Sequence, residues 1–509
     1  MLPARQEQAS SRKPAYAIRE EASKKGPSPM TIRFPEPDPK ILARREAILA
    51  GLAPLVAPEA LVTSEDERRA FETDGLTAYR QMPLAVVLPS TTQEVAAVMA
   101  YCHAQGVRVV PRGAGTSLAG GAIAQGDAII LGVGKMTQVL DLDFENRTAR
   151  VQSGLTNLAI SGAVAHEGFF YAPDPSSQLA CTIAGNIAMN SGGAHCLKYG
   201  VTTNNLLGVT LVLNDGTVVE VGGQHLDSPG YDLLGLICGS EGQLGIVTEA
   251  TVRILRAAEG ARPVLVGFSK VEDAGDCVAA IIAAGIIPVA IEYMDREAIL
   301  ITEDFAKAGY PRDAEAMLII EVEGSDAECE AMLARIEAIA KDFRPTSLRV
   351  SRSEAESAAI WKGRKSAFGA TGRISDYICM DGTIPTGQLG PVLERIGAIC
   401  AGHGLRVANV FHAGDGNLHP LILFDINKPG ELQKAEAAGD EILKLCVEVG
   451  GCLTGEHGVG IEKRELMRFQ YSQADLEQQM RVKAVFDPDW MLNPAKVFPL
   501  EGRLEAKAA

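Results

Sequence analysis

The chain carries the glycine-rich stretch PRGAGTSLAGG at residues 111–121, directly after a short apolar strand predicted over Val107 to Val110. A loop of this kind presents successive backbone N–H groups, which form an anion-binding nest suited to a pyrophosphate. Two other phosphate-binding patterns do not match. Leu118 stands where a dinucleotide fingerprint needs glycine, and the Gly-Lys-Ser/Thr signature of a Walker loop is absent. A tight structural turn remains the alternative for this loop taken alone.

Short strands and helices alternate on both sides of this loop. A helix that begins with a capping box of Thr91 and Glu94 and ends at Gly106 links two strands, which predicts a βαβ unit. The other elements predicted in this half are strands over 84–88, 128–131 and 149–152, a helix near 158–167, and a hairpin over 211–220 that turns at 214–216. The density of glycine from residue 113 to residue 245 indicates a backbone that approaches a ligand closely.

Past Arg262 and Pro263 the pattern changes to longer helices between isolated strands. The predicted strands cover 264–268, 289–294, 317–322 and 347–350, and amphipathic helices cover 272–284 and 326–342. We therefore expect a second, α+β domain with an antiparallel sheet and helices on one face. Residues 1–30 mix charged residues, serine and proline without periodicity, which predicts a disordered arm.

Composition excludes several classes of protein. Asp and Glu number 64 against 48 Lys and Arg, so the net charge of −16 repels nucleic acid. The longest apolar stretch, Cys277 to Ile291, is interrupted by Gly285 and Pro288 and is shorter than the ~20 residues that span a bilayer. The ten cysteines form no Cys-x-x-Cys pair, and no secretory segment is present at the N-terminus. We expect a cytoplasmic protein without disulfides that binds no nucleic acid.

Two further segments combine glycine with small polar residues. One runs from residue 173 to residue 193 and contains PDPSS followed by TIAGNIAMNSGG, and the other is GSEGQLGIVT at residues 239–248. Their asparagines and hydroxyl groups can line a polar ligand, although each segment alone is more typical of an ordinary loop than of a site. Three such segments in order indicate a shared binding site.

The stretch VFHAGDGNLH at residues 410–419 predicts a tight hairpin, because two apolar runs flank the turn-forming pair Asp415 and Gly416. In that register His412 lies directly opposite His419, with Cβ atoms ~5 Å apart, and Asn417 shares their face. Two imidazoles so placed can bind one divalent ion. The alternative is that both histidines serve packing or face solvent.

A second acidic and imidazole-bearing stretch, GEHGVG, lies at residues 455–460. Its Glu456 would complete a set of two histidines and one carboxylate, which suits zinc or manganese and leaves positions open for a bidentate substrate. A solvated acidic loop is the alternative. The sequence thus predicts a metal site formed by His412, His419 and Glu456.

These motifs resemble those of a known family. Residues from about 73 to 256, beginning with DGLTAYR at 74–80, resemble the FAD-binding domain of vanillyl-alcohol-oxidase-type flavoproteins. The remainder, through LNPAKVF at 492–498, is similar to the cap of FAD-linked D-2-hydroxy-acid dehydrogenases, above all the large subunits of the glycolate oxidase group. The resemblance implies an α+β fold with an FAD-binding domain over 31–260, a cap over 261–484, and a C-terminal segment over 485–509 that returns to the first domain.

By this resemblance the first loop binds the FAD pyrophosphate, and the two later segments hold the flavin and adenine ends. Relatives that tether FAD covalently carry a histidine in the first loop, where this chain has Thr116 and Ser117, so non-covalent FAD is expected. The residues expected to bind FAD are Pro111, Arg112, Gly113, Ala114, Gly115, Thr116, Ser117, Pro173, Asp174, Thr182, Gly185, Asn186, Asn190, Gly192, Gly193, Glu241, Gly245, Ile246, Val247 and Asn493.

The resemblance also assigns catalytic roles. It makes Glu456 the third metal ligand and His457 the base, Arg364 the clamp for the substrate carboxylate, and Asn417 a further catalytic residue. The implied reaction is oxidation of a small D-2-hydroxy acid to the 2-oxo acid, with proton removal by His457 and hydride transfer to flavin N5. A surface salt bridge is the alternative for Arg364.

The substrate and partners follow from the same resemblance. The residue before Asp381 is Met380, where relatives that use dicarboxylates carry lysine, so glycolate or D-lactate is favoured over D-2-hydroxyglutarate. A smaller flavin-domain subunit and an iron–sulfur subunit are expected to take the electrons, with at most peripheral association with the inner face of a membrane. The competing hypotheses are a metal-dependent hydrolase and a catalytically inactive FAD-binding subunit.

Overall fold

The computed structural model describes residues 32–225 and 230–500, so the arm predicted over 1–30 and the end of the C-terminal segment lie outside the described residues. In the first half the strands are β1 (Leu61–Val62), β2 (Ala85–Val87), β3 (Arg108–Arg112), β4 (Ala128–Gly132), β5 (Val139–Asp143), β6 (Thr148–Gln152), β7 (Phe169–Phe170), β8 (Leu206–Val212), β9 (Val218–Gly222), β10 (Ile246–Arg253) and β11 (Leu255–Arg256). The helices are α1 (Pro39–Leu42), α2 (Arg45–Leu52), α3 (Glu65–Arg68), α4 (Thr92–Gln105), α5 (Asn157–Val164), α6 (Ile183–Met189), α7 (Cys196–Tyr199), α8 (Thr202–Asn205) and α9 (Leu233–Ile237).

The first sheet has the order β1-β2-β4-β3, in which β2 and β3 both run parallel to β4. The predicted connecting helix is confirmed as α4. The Thr91 hydroxyl accepts the N–H of Glu94 at its start, and Gly106 ends it with a φ of 64° that glycine adopts without strain. Because β4 inserts between the two strands that α4 connects, the glycine-rich loop after β3 emerges at the edge of this sheet.

The second sheet is antiparallel, with the order β5-β6-β10-β8-β9. The predicted hairpin over 211–220 is confirmed as β8 and β9, with Val212 opposite Val218. One face of the sheet packs on α5, α6 and α9 through a cluster that includes Val151, Ile187 and Val252. The segment 239–245 comes directly before β10, which brings it beside the end of α6.

The second half is built on a larger antiparallel sheet. Its strands are β12 (Gly260–Phe268), β13 (Ala290–Asp295), β14 (Ala316–Gly324), β15 (Ser347–Val350), β16 (Asp376–Cys379), β17 (Gly382–Thr383), β18 (Arg406–His412), β19 (Asn417–Leu418) and β20 (Pro420–Phe424), and the main order is β15-β12-β14-β13-β18-β19-β17. Its helices are α10 (Val271–Ala283), α11 (Arg296–Ala306), α12 (Asp326–Asp342), α13 (Glu354–Gly372), α14 (Leu389–Gly402), α15 (Glu431–Glu448), α16 (Met467–Gln470) and α17 (Gln473–Phe486).

The prediction that helices cover one face of this sheet is wrong. Leu318 and Ile320 of β14 pack with α10, α12, α14 and α15, whereas Met317 and Ile319 of the same strand pack with α11 and α13. A strand whose residues are apolar on both sides must be covered on both sides. The added layer matters for the site, because α13 carries Arg364.

The C-terminal segment lies against the first sheet. Leu492 forms a parallel bridge with Val109, and the Val109 backbone exchanges hydrogen bonds with Met491 and Asn493. This contact sets Asn493 close to the start of the glycine-rich loop. No described helix combines the length and the apolar character that crossing a membrane requires.

Candidate active site

A cavity lies between the glycine-rich loops of the first half and the second half. From the first half and the C-terminal segment, predicted FAD-binding residues line it: Pro111, Arg112, Gly113, Ala114, Gly115, Thr116, Ser117, Thr182, Gly185, Asn186, Glu241, Gly245, Ile246, Val247 and Asn493. From the second half, its wall includes Lys365, Phe368, His419, Glu456 and His457. Segments that are far apart in the sequence therefore form one cavity.

The loop after β3 offers unused hydrogen-bond donors to this cavity. Within the described parts of the chain, the N–H groups of residues 113–117 donate to no other protein group. Gly115 has a φ of 71°, in the left-handed region that favours glycine. A run of unpaired N–H groups in such a loop is suited to phosphate oxygens. The loop therefore fits the pyrophosphate of FAD.

Five of the residues predicted to bind FAD do not line the cavity: Pro173, Asp174, Asn190, Gly192 and Gly193. Asp174 instead lies 2.7 Å from His195 Nδ1 and accepts the His195 N–H. A Cβ on Gly193 would lie 2.4 Å from the Asp174 carbonyl oxygen. Neighbouring residues of the same segment, Pro175 to Ser177 and Ser191, line the cavity in their place. Gly193 thus allows close approach of the Asp174 backbone, not of a ligand.

The predicted register of the histidine hairpin is wrong. His412 pairs with Asn417, not with His419, because Ala413 to Gly416 form a four-residue turn. The displacement is by two residues, which leaves every side chain on its predicted face. His412 and His419 become diagonal neighbours, and their ring centroids lie 5.3 Å apart. The contact between the two imidazoles is therefore confirmed, although the predicted strand register is wrong.

His412, His419 and Glu456 converge on one point. Glu456 Oε1 lies 3.5 Å from His412 Nε2 and 3.2 Å from His419 Nε2. One ligand atom from each residue lies within 4.8 Å of the others. His419 Nε2 is buried without a hydrogen-bond partner among the described residues, and the imidazole planes meet at 82°. Nitrogen lone pairs that converge beside a carboxylate fit a zinc or manganese ion.

A second group, Asp381, His419 and His457, also brings three ligand atoms within 4.8 Å of one another. It fits a metal less well. The rings of His419 and His457 stack with an interplanar angle of only 6°, so their in-plane lone pairs run parallel and do not converge. The Asp381 carboxylate is also occupied by donors of the protein itself.

Asp381 holds the turn that carries Glu456 and His457. Its carboxylate accepts the N–H groups of Gly455 at 3.0 Å, Glu456 at 3.1 Å and His457 at 2.9 Å, and the Thr454 hydroxyl also donates to it. Burial opposes its ionisation, but the adjacent imidazoles of His457 and His419 and the Lys463 ammonium hold the pKa of Asp381 below its usual range. This carboxylate therefore fixes the backbone from which the ligand and the base project.

We expect Asp381→Asn to destabilise the protein by about 2–3 kcal/mol, because an amide replaces one acceptor oxygen with a donor facing buried N–H groups. Scanning calorimetry should show a lower unfolding temperature than in the control Asp425→Asn. The exposed Asp425 carboxylate accepts the N–H of Asn427 at a surface turn. Equal unfolding temperatures in the two variants would contradict the assigned role of Asp381.

His457 faces the cavity from this turn. Its ring stacks on His419 with centroids 4.9 Å apart, and its Nδ1 is buried without a protein hydrogen-bond partner in the described chain. Burial lowers the pKa of His457 to about 4, against the opposing pull of the Asp381 carboxylate. The imidazole is therefore neutral near pH 7 and has a ring nitrogen able to accept a proton.

Arg364 and Asn417 are near these residues but outside the cavity wall. Arg364 is 3% exposed, and its Nε donates to Glu292 Oε2 at 2.7 Å. The alternative of a surface salt bridge is wrong, because both partners are buried. Asn417 Oδ1 is buried without a hydrogen-bond partner in the described chain, and a Cβ on Gly455 would lie 2.3 Å from it.

Sequence reasoning missed Glu292 as a site residue and gave Asp381 no structural role. Glu292 interrupts the apolar strand AIEYMD, and a lone acid inside a buried strand signals a partner of opposite charge. Asp381 follows a buried strand within CMDGTIP, but no local pattern reveals that a turn more than 70 residues later supplies its donors.

Comparison with known proteins identifies the family of this chain. The family described as FAD linked oxidases, C-terminal domain, matches residues 258–497, and the FAD binding domain family matches residues 83–222. The glycolate oxidase subunit GlcD of Escherichia coli (strain K12) is 49% identical over 456 residues, covering 89% of this chain and 91% of that protein. The D-lactate dehydrogenase of Anaerostipes hadrus is 30% identical, covering 87% and 95%.

A solved structure extends the comparison to the fold. The 4-ethylphenol oxidase from Gulosibacter chungangensis superposes with a TM-score of 0.77 at 15% identity, covering 91% of this chain and 98% of that chain. At this identity the likeness concerns the fold alone. The expected α+β architecture of a vanillyl-alcohol-oxidase-type flavoprotein is confirmed.

Proposed function

Because the chain belongs to the family of FAD-linked oxidases, we propose that it oxidises a small D-2-hydroxy acid, glycolate or D-lactate, to the 2-oxo acid. One observation carries the proposal: His457, beside the convergent His412, His419 and Glu456, lines the same cavity as the glycine-rich loop. The proposed base, the proposed metal ligands and the loop suited to FAD therefore lie around one cavity.

FAD is the expected cofactor, held without a covalent bond. Bound FAD supplies the acceptor for the hydride that leaves the substrate α-carbon. The N–H groups of residues 113–117 would hold its pyrophosphate. The Glu241 carboxylate accepts the N–H groups of Val459 and Gly460, so it ties the segment 239–248 to the turn that carries His457.

A divalent ion, zinc or manganese, would be held by His412, His419 and Glu456. Bound there, such an ion supplies Lewis acidity that favours loss of the hydroxyl proton. The other Glu456 oxygen, Oε2, accepts the N–H of Gly192 at 3.1 Å. A Cβ on Gly192 would lie 2.8 Å from that oxygen, so glycine is needed there for Glu456 to keep its orientation.

His457 would accept the proton of the substrate hydroxyl. A neutral imidazole at the cavity wall is suited to this task, and general base catalysis contributes about 10²–10⁴-fold to rate. Stacking on His419 and the N–H bond to Asp381 restrict both the ring and the backbone of His457. This restriction limits the entropy lost when the hydroxyl is aligned.

The substrate carboxylate has two candidate partners on α13. Arg364 is assigned by resemblance, and the exposed Lys365 is assigned by its place in the cavity wall. Selectivity for a monocarboxylate is supported by Met380, which is buried against Gly439 of α15. Since this side chain is apolar and packed in the core, position 380 provides no cation for a second carboxylate.

Electron transfer to partner subunits completes the proposed function. The Escherichia coli relative is named a subunit of glycolate oxidase, which supports assembly with other subunits. We propose a smaller flavin-domain subunit and an iron–sulfur subunit as partners, with at most peripheral contact with a membrane. Membership of an FAD-linked family opposes a hydrolase that binds no flavin.

Anaerobic mixing of the oxidised protein with a panel of D- and L-2-hydroxy acids tests the proposal. Glycolate or D-lactate should bleach the flavin absorption in the blue, L-lactate should not, and D-2-hydroxyglutarate should act much more slowly because it carries a second carboxylate. The readout is the rate of flavin reduction in a stopped-flow spectrophotometer. A colourless protein, or a flavin that no 2-hydroxy acid bleaches, would refute the proposed function.

A further inference from the structure

Glu292 is a fully buried carboxylate whose two oxygens are divided between two partners. Oε1 lies 2.7 Å from His412 Nδ1. Oε2 lies 2.7 Å from Arg364 Nε and 2.6 Å from Arg364 Nη2. Its exposure is 0%, and those of Arg364 and His412 are 3% and 6%. These three side chains form a buried chain from α13 through β13 to β18, which we call the 292 triad.

Backbone pairing fixes the centre of the 292 triad. Glu292 and His412 are direct cross-strand partners in the antiparallel pairing of β13 with β18. Side chains directly opposite each other in such a pair have Cβ atoms about 4.5–5.5 Å apart. The contact between Glu292 and His412 is therefore set by the sheet and does not depend on a mobile loop.

The hydrogen bond to Glu292 determines which imidazole nitrogen of His412 faces Glu456. With Nδ1–H donated to Glu292, the opposite nitrogen, Nε2, lies 3.5 Å from Glu456 Oε1. A carboxylate that accepts from a metal-binding histidine fixes its tautomer and raises the basicity of the ligating nitrogen. The orientation seen at His412 is the one that metal binding requires.

Arg364 gives Glu292 the charge balance that a buried carboxylate needs. A buried ion without a partner of opposite charge is strongly disfavoured, so loss of either Glu292 or Arg364 would leave an uncompensated charge. Arg364 thus holds the carboxylate that accepts from His412 in place through two guanidinium nitrogens, whether or not its guanidinium also reaches a substrate.

We propose that Glu292 and Arg364 are positioning residues that orient His412 for a divalent metal ion, with Arg364 acting through Glu292. The inference rests on the proposed metal set of His412, His419 and Glu456, and it adds two residues that bind no metal themselves. It predicts that both residues influence metal affinity when no substrate is present.

The test is zinc binding by the FAD-loaded, metal-stripped protein in competition with a chromogenic chelator. Glu292→Gln and Arg364→Met should each weaken zinc binding about 10–100-fold, the range for the loss of a partner of a metal-binding histidine. Zinc X-ray absorption should show a weakened imidazole contribution in Glu292→Gln. FAD content, read from flavin absorbance, should match that of the wild type.

A matched control lies on the same strand. Asp295 of β13 is half-buried and accepts the N–H and the side-chain amide of Asn409 on β18, so it links the same two strands without touching a histidine. Asp295→Asn should leave zinc affinity unchanged even where the unfolding temperature falls. This variant separates a general weakening of the sheet from a specific effect on His412.

Wild-type zinc affinity in Arg364→Met would overturn the inference, because Arg364 would then act only on substrate or on stability. Wild-type zinc affinity in Glu292→Gln would overturn it as well. Should Glu292→Gln not fold, Arg364→Met alone decides. Failure of the proposed function is a separate observation, since it concerns flavin bleaching by a hydroxy acid in the wild-type protein, whereas zinc affinity is measured without any acid.

Discussion

His457→Ala should keep its FAD and its zinc yet reduce the flavin at least about 10²-fold more slowly than the wild type when mixed anaerobically with glycolate or D-lactate. The variant removes the proposed proton acceptor at the cavity wall and leaves His412, His419 and Glu456 in place. Stopped-flow absorbance in the blue measures the rate, and metal analysis measures zinc per protein. Flavin reduction at the wild-type rate would remove His457 from the mechanism.

The same variant decides between the two groups of potential ligands. If Asp381, His419 and His457 held the ion, His457→Ala would lose zinc together with activity. We expect zinc retention, because the stacked rings of His419 and His457 do not direct their lone pairs to one point. His403→Ala is the matched control, since His403 lies in the second half of the chain and its Nε2 lies 3.0 Å from the exposed Glu441 carboxylate.

His419→Ala should weaken zinc binding more than Glu292→Gln does, for which ~10–100-fold is expected. The reason is that His419 is a proposed ligand itself, whereas Glu292 only orients one. His419 Nε2 lies 3.2 Å from Glu456 Oε1, and no hydrogen bond in the described chain satisfies it. Without that imidazole, His412 and Glu456 retain two of the three donors.

The measurement is zinc per protein after dialysis against a chelator, with FAD content read in parallel. His403→Ala again serves as the control and should retain the zinc content of the wild type. FAD should remain bound to His419→Ala, because the unused N–H groups of residues 113–117 lie in the other half of the molecule. Unchanged zinc content in His419→Ala would refute a metal site at the hairpin.

The histidine hairpin shows how far local pattern reaches. Alternation along a strand predicts which residues share a face, and an error of two residues in register does not alter the face. His412 and His419 were therefore correctly expected to meet, although a four-residue turn pairs His412 with Asn417. An error of one residue would have sent His419 to the opposite face.

Other residues show where local pattern fails. Arg364 lies on a helix and Glu292 on a strand 72 residues away, and their contact depends on the packing of α13 on the second face of the sheet. Asp174 has the local chemistry of a ligand-binding residue, but its carboxylate is engaged with His195. Contacts of this kind follow from packing between distant elements, which periodicity and turn chemistry do not encode.

Three features have local causes and are predictable from the sequence: the capped helix that leads to β3, the glycine-rich loop with its unused N–H groups, and the shared face of two histidines. Tertiary structure alone decided that Asp381 fixes the turn bearing Glu456 and that Glu292 orients His412. The physical reason is that hydrogen bonds within a turn or a helix depend on neighbouring residues. Charged groups from distant segments come together only when the apolar faces of those segments pack. Packing also buries these groups, and a buried charge needs a partner of opposite charge.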